Sequence, residues 1–521
     1  DGNWNTAASW NFGVVPSEVD NATINAAATI NTPDVEINNL TIGTGSLEVA
    51  TTGLVTAHGT LTNTTHNKLI VNVPGGIAAA TRDNVAARVN FHSVAKVVDG
   101  NYRWQYIGWP FTALADVHWP FSGSWLMSHN PASEQQWDYL RNGDGLTPFQ
   151  GYALTQAAEK DFTWDGILNS NEGVTKDLTY VGSDNDNWNL VANSWLAPID
   201  VATFTNTNFT NANASIYVFN TGSFSEWEND GQAAASDLVD VAGQYSTVNA
   251  LLASTTGYVL PPVQAFFVEA TGAGAKIELN YEDNVLGTAN SHSSTGSLRT
   301  PRRNTAQASG VNELTHITIT VRGERYGDVL HIFEGEQFTT GYDNGSDGKK
   351  VLGAMTSPQL FAQTSFGDMA ILATPDIEGT TLGFRAGTAD QNYTLIFGNN
   401  DGTLYITDLQ NNIETEVKAG GSYSFYADNT DDIVSRFRLS RVRAAAPSNP
   451  TGLDDLQQTT YYTINHGILF VKANANDTIR LYDATGRLIF NKSNESEVNI
   501  ELPQQGVYLL RVNNTTHKIV K

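Results

Sequence analysis

The sequence contains no cysteine among its 521 residues. This absence excludes disulfide bonds, thiolate zinc sites and a cysteine nucleophile together. No segment approaches the roughly 20 consecutive apolar residues that a membrane-spanning helix needs. The first residue is Asp1, with no methionine or signal peptide before it. Either a leader has been removed or the chain is the C-terminal part of a longer protein.

Basic residues are scarce. The chain has 29 lysines and arginines against 54 acidic residues, which gives a formal charge of −25. Such a chain repels phosphate backbones, so nucleic acid is not expected as a partner. The acidic excess instead favours solubility and the attraction of divalent cations.

The residues that are abundant belong to strands and turns. Hydrophobic residues make up 40% of the chain, which is enough for packed cores. Glycine, asparagine and aspartate favour turns, whereas threonine, valine, isoleucine and tyrosine favour strands. We therefore predict an all-β protein of several domains, since a domain takes about 100–200 residues.

Residues 1–75 repeat a short apolar–threonine–apolar phrase, as in Ala22-Thr23-Ile24, Ala28-Thr29-Ile30 and Leu40-Thr41-Ile42. Short strands at regular intervals are typical of stacked β-solenoid rungs. An ordinary small sandwich is the alternative.

Residues 76–290 contain a duplication, which predicts paired β-sandwich-like sheets with a shared core. Tryptophans would pack that core, with Trp104 and Trp188 at matching places in the two copies. The matching segments are Trp104–Gly108 with Trp188–Ala192, Trp125–Asn130 with Ile216–Asn220, Trp137 with Trp227, and Pro148–Leu154 with Pro262–Val268.

Alternating strands in residues 307–443 predict a second β-sandwich. A linker with two prolines, residues 444–453, separates it from a small domain at residues 454–521. In this last domain Ile479–Tyr482 and Leu488–Phe490 flank Asp483-Ala484-Thr485-Gly486-Arg487, a hairpin in which Gly486 supplies a positive φ. A second phrase, Leu502-Pro503-Gln504-Gln505-Gly506-Val507-Tyr508, leads into a buried strand, and Lys518-Ile519-Val520-Lys521 closes the chain.

These C-terminal motifs, in this order and at the end of the chain, resemble the type A sorting domain of type IX secretion system cargo proteins of Bacteroidetes. The resemblance implies a small immunoglobulin-like sandwich that a translocon and an outer-membrane shuttle protein recognise. It also implies a Gram-negative cell-surface location, with a sortase and a lipopolysaccharide anchor as further partners. The upstream phrases around Trp188–Val191 and Gln264–Val268 are similar to those of large β-rich surface proteins of the same bacteria.

Export machinery of this kind is expected to read an exposed sheet edge or face. We predict translocon recognition at the terminal strand and at two turn glycines: Lys518, Ile519, Val520, Lys521, Gly486 and Gly506. The alternative is that the terminal strand only completes its sheet.

Two acidic turns are candidates for Ca²⁺, which prefers clustered oxygen ligands. Their residues are Asp343, Ser346 and Asp347 in one turn, and Asp184 and Asp186 in the other. Neither turn matches an EF-hand, and simple Asx turns are the alternative. Ca²⁺ is the one cofactor for which the sequence offers candidate ligands.

Aromatic rings are the candidates for carbohydrate binding, because flat tryptophan faces stack on sugars. The stacking candidates are Trp109, Trp119, Trp125 and Trp195. No metalloprotease, serine hydrolase or nucleotide-binding motif occurs, so no catalytic residue is predicted.

Three functions follow from these observations. The first is an exported, non-catalytic adhesin or structural surface component. The second is a carbohydrate-binding or polysaccharide-processing protein whose catalytic module lies upstream or is unrecognised. The third is a subunit of a surface layer or filament. A glycan or a host surface is the expected ligand.

Overall fold

The computed structural model describes residues 2–33, 35–95, 97–98, 101–182, 187–221, 244–286, 314–324, 326–353, 357–398, 403–428, 433–443, 461–465, 468–473, 477–493, 497–504, 506–513 and 515–521. Regular structure in these residues is almost entirely β-strand, which confirms the predicted all-β class. The chain divides into two units, Asp1–Ala444 and Ala445–Lys521. The predicted linker at 444–453 lies outside the described residues.

Among the described residues, helical structure is limited to short segments between strands. The α-helix α1 (Ala250–Thr256) begins at Asn249, whose side chain accepts the Leu252 N–H, and ends at Gly257 in the left-handed conformation. The remaining helical turns are four 3₁₀ segments and one π segment: Ala7–Ser9, His66–Lys68, Val201–Thr203, Asn206–Asn208 and Glu282–Leu286.

The first ten strands form the predicted β-solenoid. They are β1 (Gly2–Asn3), β2 (Asn21–Ile24), β3 (Ala27–Ile30), β4 (Val35–Ile37), β5 (Asn39–Ile42), β6 (Ser46–Val49), β7 (Leu54–Thr62), β8 (Leu69–Asn72), β9 (Gly76–Thr81) and β10 (Ala86–Ser93). Three parallel ladders run through them, β1-β3-β6-β8-β10, β2-β5-β7 and β4-β7-β9. The ladders extend past residue 75 as far as β10.

Alternation along each short strand decides which side chains fill the solenoid. Ile24, Ile30 and Leu40, the apolar members of the repeated triplets, are buried in one core. Outward asparagines bond between neighbouring coils, as where Asn39 donates its amide to Asn21 at 2.6 Å. The period of two therefore produces both the core and the polar exterior.

Sixteen strands follow in the described part of the duplicated region. They are β11 (Val97–Val98), β12 (Asn101–Tyr102), β13 (Gln105–Ile107), β14 (Ser124–His129), β15 (Trp137–Tyr139), β16 (Tyr152–Gln156), β17 (Lys160–Ile167), β18 (Gly173–Asp177), β19 (Trp188–Ala192), β20 (Ile199–Asp200), β21 (Phe209–Thr210), β22 (Ser215–Phe219), β23 (Tyr245–Asn249), β24 (Val259–Leu260), β25 (Ala265–Glu269) and β26 (Lys276–Asn280). Strand β17 pairs antiparallel with β10 and ends the parallel stack.

Two four-stranded antiparallel sheets dominate this region. The first repeat sheet has the order β13-β16-β14-β15, and the second repeat sheet has the order β19-β25-β22-β23. In each sheet the first strand in sequence pairs with the fourth, and the second strand lies between the fourth and the third. The duplication seen in the sequence is thus a duplication of topology.

The next eleven strands form one long curved sheet around a single core. They are β27 (Thr315–Arg322), β28 (Gly327–Glu334), β29 (Gly348–Lys349), β30 (Gln359–Thr364), β31 (Gly367–Thr374), β32 (Thr381–Arg385), β33 (Gln391–Gly398), β34 (Leu404–Asp408), β35 (Ile413–Val417), β36 (Ser422–Ala427) and β37 (Val434–Ser440). The order is β35-β34-β37-β32-β30-β31-β28-β27-β33-β36, with β29 added to β31.

The C-terminal unit is a small sandwich of two sheets, β38-β39-β42 and β41-β40-β43-β44, on one core. Its strands are β38 (Tyr461–Asn465), β39 (Ile468–Lys472), β40 (Thr478–Asp483), β41 (Leu488–Ser493), β42 (Glu497–Glu501), β43 (Val507–Val512) and β44 (Thr515–Val520). The predicted hairpin is β40–β41, and the terminal strand is β44.

Candidate functional site

One carboxylate organises the hairpin turn of the C-terminal sandwich. Asp483 Oδ1 accepts the N–H groups of Thr485 and Arg487, each at 3.0 Å, and the Thr485 hydroxyl at 2.6 Å. Arg487 Nε donates to the other oxygen at 3.0 Å. The pKa of Asp483 is lowered to about 2, chiefly by the hydrogen bond from the Thr485 hydroxyl. Gly486 completes the turn with φ 83°.

A second turn fixes the end of the chain. The Tyr508 hydroxyl donates to the Gln504 carbonyl at 2.6 Å and accepts the Gln504 N–H at 3.2 Å. Gly506 and Lys521 exchange two backbone hydrogen bonds, at 3.2 and 3.0 Å. Lys521 Nζ also donates to the Leu502 carbonyl at 2.5 Å. The motif that precedes β43 therefore anchors the last residue.

The terminal strand has one paired edge. Strand β44 pairs with β43 and, within the part of the chain that the structure describes, with no other strand. Lys518 is exposed, Ile519 is buried in the core, and the side chain of Val520 lies outside the described residues. The outer edge offers backbone groups to a further strand. Recognition of these residues and of Gly486 and Gly506 by the translocon stays a prediction.

The two repeat sheets correspond residue by residue. Equivalent positions, first sheet before second, are Ile107 and Val191, Met127 and Tyr217, Trp137 and Tyr245, Ala153 and Phe267, and Tyr152 and Phe266. Tyr245 therefore replaces Trp227 as the counterpart of Trp137. Trp227 itself lies outside the described residues.

The sheets meet through reciprocal contacts. Gln150 bridges to Val191, and its counterpart Gln264 bridges to Ile107. Phe149 and Val263, which precede the two glutamines, share a left-handed backbone at φ 62° and 66°. Because both residues are non-glycine, this conformation is strained, and its recurrence shows that the junction requires it.

The first repeat sheet presents an aromatic face. Trp125, Met127 and Tyr139 lie on one side of β14 and β15, since Met127 pairs with Tyr139 and side chains alternate. Trp125 is 43% exposed and Tyr139 is 54% exposed. At the other end of this face Tyr106 stacks on Trp137, with ring centroids 5.8 Å apart. We call Trp125, Met127 and Tyr139 the aromatic face.

The same face of the second repeat sheet is covered by residues 343–349, which precede and include β29. Ser215, Thr247 and Asn249 occupy this face and donate side-chain hydrogen bonds to backbone carbonyls of the 343–349 segment. The three distances are 3.2, 3.0 and 2.8 Å. The aromatic face is thus the equivalent of a surface that, in the second repeat sheet, is covered by another part of the chain.

The four tryptophans predicted to stack on sugars divide into two pairs. Trp109 and Trp195 are buried in separate cores, so both are packing residues rather than stacking platforms. Trp119 is 78% exposed and lies edge-on to His118 at 4.8 Å. Only Trp119 and Trp125 of the four therefore present a ring to solvent.

Met127 and Tyr139 were not among the predicted site residues. The sequence could have indicated them, because Trp125-x-Met127 and Trp137-x-Tyr139 each have large side chains two residues apart, and such residues lie on the same face of a strand. Sequence alone does not show which side of the sheet is covered.

The predicted calcium turn at Asp343, Ser346 and Asp347 lies inside the 343–349 segment. Both oxygens of Asp347 accept backbone N–H groups, from Ala373 and Asp343, at 2.7 Å each. Burial raises the pKa of Asp347 to about 6. Backbone N–H donors therefore occupy both oxygens, although neither comes from the residue two positions on, as an Asx turn requires. Ca²⁺ binding at this turn stays a prediction. The other candidates, Asp184 and Asp186, lie outside the described residues.

Among the described residues, no helix has the length and apolar character needed to cross a bilayer.

Residues 464–521 match the family described as the secretion system C-terminal sorting domain. The match confirms the predicted type IX sorting domain and its interaction with that secretion machinery. It includes the Asp483 turn, the Tyr508 turn and the terminal strand.

A curated relative is the minor fimbrium subunit Mfa5 of Porphyromonas gingivalis, which is 27% identical over 456 residues. The alignment covers 80% of this chain and 34% of the relative, so the chain spans about a third of the relative's length. Together with the sorting domain, this similarity identifies an exported cell-surface protein of the Bacteroidetes.

A solved structure, the BSP domain of a biofilm associated protein, aligns over 83% of this chain and 92% of that chain. The sequence identity is 9% and the TM-score is 0.15, so the alignment does not inform the fold.

Proposed function

We propose that this chain is a non-catalytic component of a surface filament or an adhesin, delivered by its C-terminal sorting domain. The observation that carries the proposal is the combination of that domain with similarity to a fimbrium subunit over 80% of the chain. The β-solenoid and the large curved sheet are packed scaffolds. The proposed partners are the type IX translocon, an outer-membrane shuttle protein, and a sortase that attaches the chain to lipopolysaccharide.

Deletion of residues 454–521 tests the delivery step. Cell fractionation should find the truncated chain inside the cell envelope and the full chain at the exterior. A truncated chain that still reaches the exterior would contradict the proposal. Normal unfolding of the truncated chain, followed by tryptophan fluorescence, would exclude misfolding as the cause of retention.

Assembly into a filament has its own test. Light scattering of the purified chain should give a molar mass of several chains, and immunogold electron microscopy of cells should show label along filaments. A monodisperse monomer, with label spread evenly over the cell surface, would favour a monomeric adhesin instead.

Carbohydrate binding is a second candidate function, and the aromatic face favours it. Exposed rings at Trp125 and Tyr139 offer flat apolar surfaces to a sugar chain, and the equivalent face of the second repeat sheet is covered by the 343–349 segment. On a glycan array, Trp125→Ala and Tyr139→Ala should abolish selective binding by the full chain. Trp119→Ala serves as the control for an exposed ring outside this face. Equal binding by all variants would contradict this function.

A further inference from the structure

Three potential metal ligands converge on the outer surface of the solenoid. The carboxylates of Glu18 and Glu36 and a ring nitrogen of His58 all lie within 4.8 Å of one another. Glu18 lies in the loop before β2, Glu36 in β4 and His58 in β7. Neighbouring coils thus bring together residues that are 18 and 22 positions apart in sequence.

Strand pairing explains the convergence of Glu36 and His58. Strands β4 and β7 are parallel neighbours, with Val35 opposite Val55 and Ile37 opposite Ala57, all four buried in the core. Glu36 therefore points outward, and the exposed His58 follows Ala57 along the same strand. The result is a contact of 3.5 Å between Glu36 Oε2 and His58 Nε2.

The charges of this group are unbalanced. Two carboxylates within 4.8 Å of each other repel at a protein surface. Among the described residues, no lysine or arginine forms an ion pair with Glu18 or Glu36. A divalent cation would turn this repulsion into attraction.

The donor types, and the spacing of Glu36 and His58, fit one class of metal. A tetrahedral ion with bonds of about 2 Å holds its ligands about 3.3 Å apart, close to the 3.5 Å between Glu36 and His58. An imidazole nitrogen suits zinc and neighbouring transition metals, whereas Ca²⁺ and Mg²⁺ select oxygen ligands. We propose that Glu18, Glu36 and His58 form a zinc site with one position left for water.

The site would fasten a mostly exposed loop to the solenoid. Residues 11–20 connect the first coil to β2, and most of their side chains are exposed, including Phe12, Val14 and Val19. The described side-chain bonds within this loop are local, as where Ser17 donates to Asp20. A metal bound by Glu18 ties the loop to the coils that contain β4 and β7.

Isothermal titration of the full chain with Zn²⁺, after removal of metal by a chelator, tests the site. The native chain should bind one equivalent tightly, and His58→Gln and Glu36→Gln should each weaken that binding at least tenfold. Hydrogen exchange in residues 11–20 should slow when Zn²⁺ is added and stay unchanged when Ca²⁺ is added.

His92 supplies a matched control. It also has two carboxylates nearby, but Glu159 lies 3.4 Å from Nε2 and Asp161 lies 2.7 Å from Nδ1. The two acids face opposite ring nitrogens, so they cannot share one ion with the ring. His92→Gln should therefore bind Zn²⁺ like the native chain. Undiminished binding by His58→Gln, or no stoichiometric binding by the native chain, would overturn the proposal.

Discussion

Two turn aspartates of this protein have pKa values shifted in opposite directions, because their hydrogen-bond donors and their burial both differ. Asp483 accepts bonds from Thr485 and Arg487 at an exposed turn, and its pKa falls to about 2. Asp347 also accepts two backbone N–H groups, but desolvation outweighs them and raises its pKa to about 6. Charged at neutral pH, Asp483 stabilises its turn as an anion.

Asp483→Asn should weaken the hairpin of the sorting domain at neutral pH. Because the folded pKa is about 2, below the ordinary value of 3.8, the stabilisation is complete above pH 4 and is lost as the pH falls through 2. Hydrogen exchange of β40 and β41 should be faster in the variant at pH 7. A difference between variant and native chain that persists unchanged at pH 2 would refute this account.

Two buried imidazoles should make the large curved sheet acid-sensitive. His316 and His331 contact each other at 3.1 Å, and burial lowers their pKa values to about 4 and about 3. The folded state binds fewer protons than the unfolded state, so stability falls as the pH drops from 6.5 towards 3. One such imidazole with a pKa of 4 costs about 2 kcal/mol by pH 5.

His316→Gln should reduce that acid sensitivity. Urea midpoints of the full chain at pH 7 and pH 5 measure the effect, with His92→Gln as a control at an exposed histidine. A midpoint shift between the two pH values that is equal in all three proteins would show that other groups cause the acid response.

At the scale of elements, close approach between the repeat sheets depends on small residues. A methyl group at Gly151 would lie 2.4 Å from Leu190 Cγ and 3.0 Å from Ala265 Cβ. One at Gly108 would lie 2.5 Å from Ala192 Cβ. Glycine in the first copy thus faces alanine in the second, and the junction bonds of Gln150 and Gln264 span the gap.

Gly151→Ala should destabilise the first unit by about 1–3 kcal/mol, because the added carbon pushes the two repeat sheets apart. Gly173→Ala, at the start of β18, is the control, because the nearest atom to its new carbon would be the Leu279 carbonyl oxygen at 3.9 Å. Thermal unfolding followed by tryptophan fluorescence measures both variants. Equal midpoints would show that the junction adapts to the extra carbon.

The sequence best predicts those elements in which the alternation of apolar and polar residues determines which side chains are buried. Alternation in triplets such as Ala22-Thr23-Ile24 determines which side chains enter the solenoid, so the coils are predictable. The pairing of Trp137 with Trp227 was wrong because residue type was matched without strand register, and register selects Tyr245. The prediction for Trp109 and Trp195 failed for a related reason: residue type alone does not distinguish a tryptophan packed in a core from one that stacks on a sugar. The zinc ligands carry no sequence signal, because only coil stacking brings Glu18 near His58.

On the scale of the whole molecule, the C-terminal sorting domain and the first unit have separate hydrophobic cores. The C-terminal core contains Leu481 and Leu510, and none of its members belongs to the cores of the first unit. The sequence predicted this division from the proline-containing segment at 444–453 and from the motifs after it. Because the sorting domain has its own core, its folding does not need the core of the protein to which it is joined.

Leu481→Ala should therefore damage delivery without damaging the cargo. Leu481 is fully buried, and truncation of a buried leucine costs about 2–5 kcal/mol, a large part of the stability of so small a core. All 11 tryptophans precede residue 445, so their fluorescence reports on the first unit alone. Its unfolding midpoint should not move, while hydrogen exchange in β40 and β43 accelerates and less protein reaches the cell exterior. A parallel shift of the tryptophan midpoint would mean that the two units unfold as one, and export of the sorting domain's cargo would then depend on the stability of the entire chain.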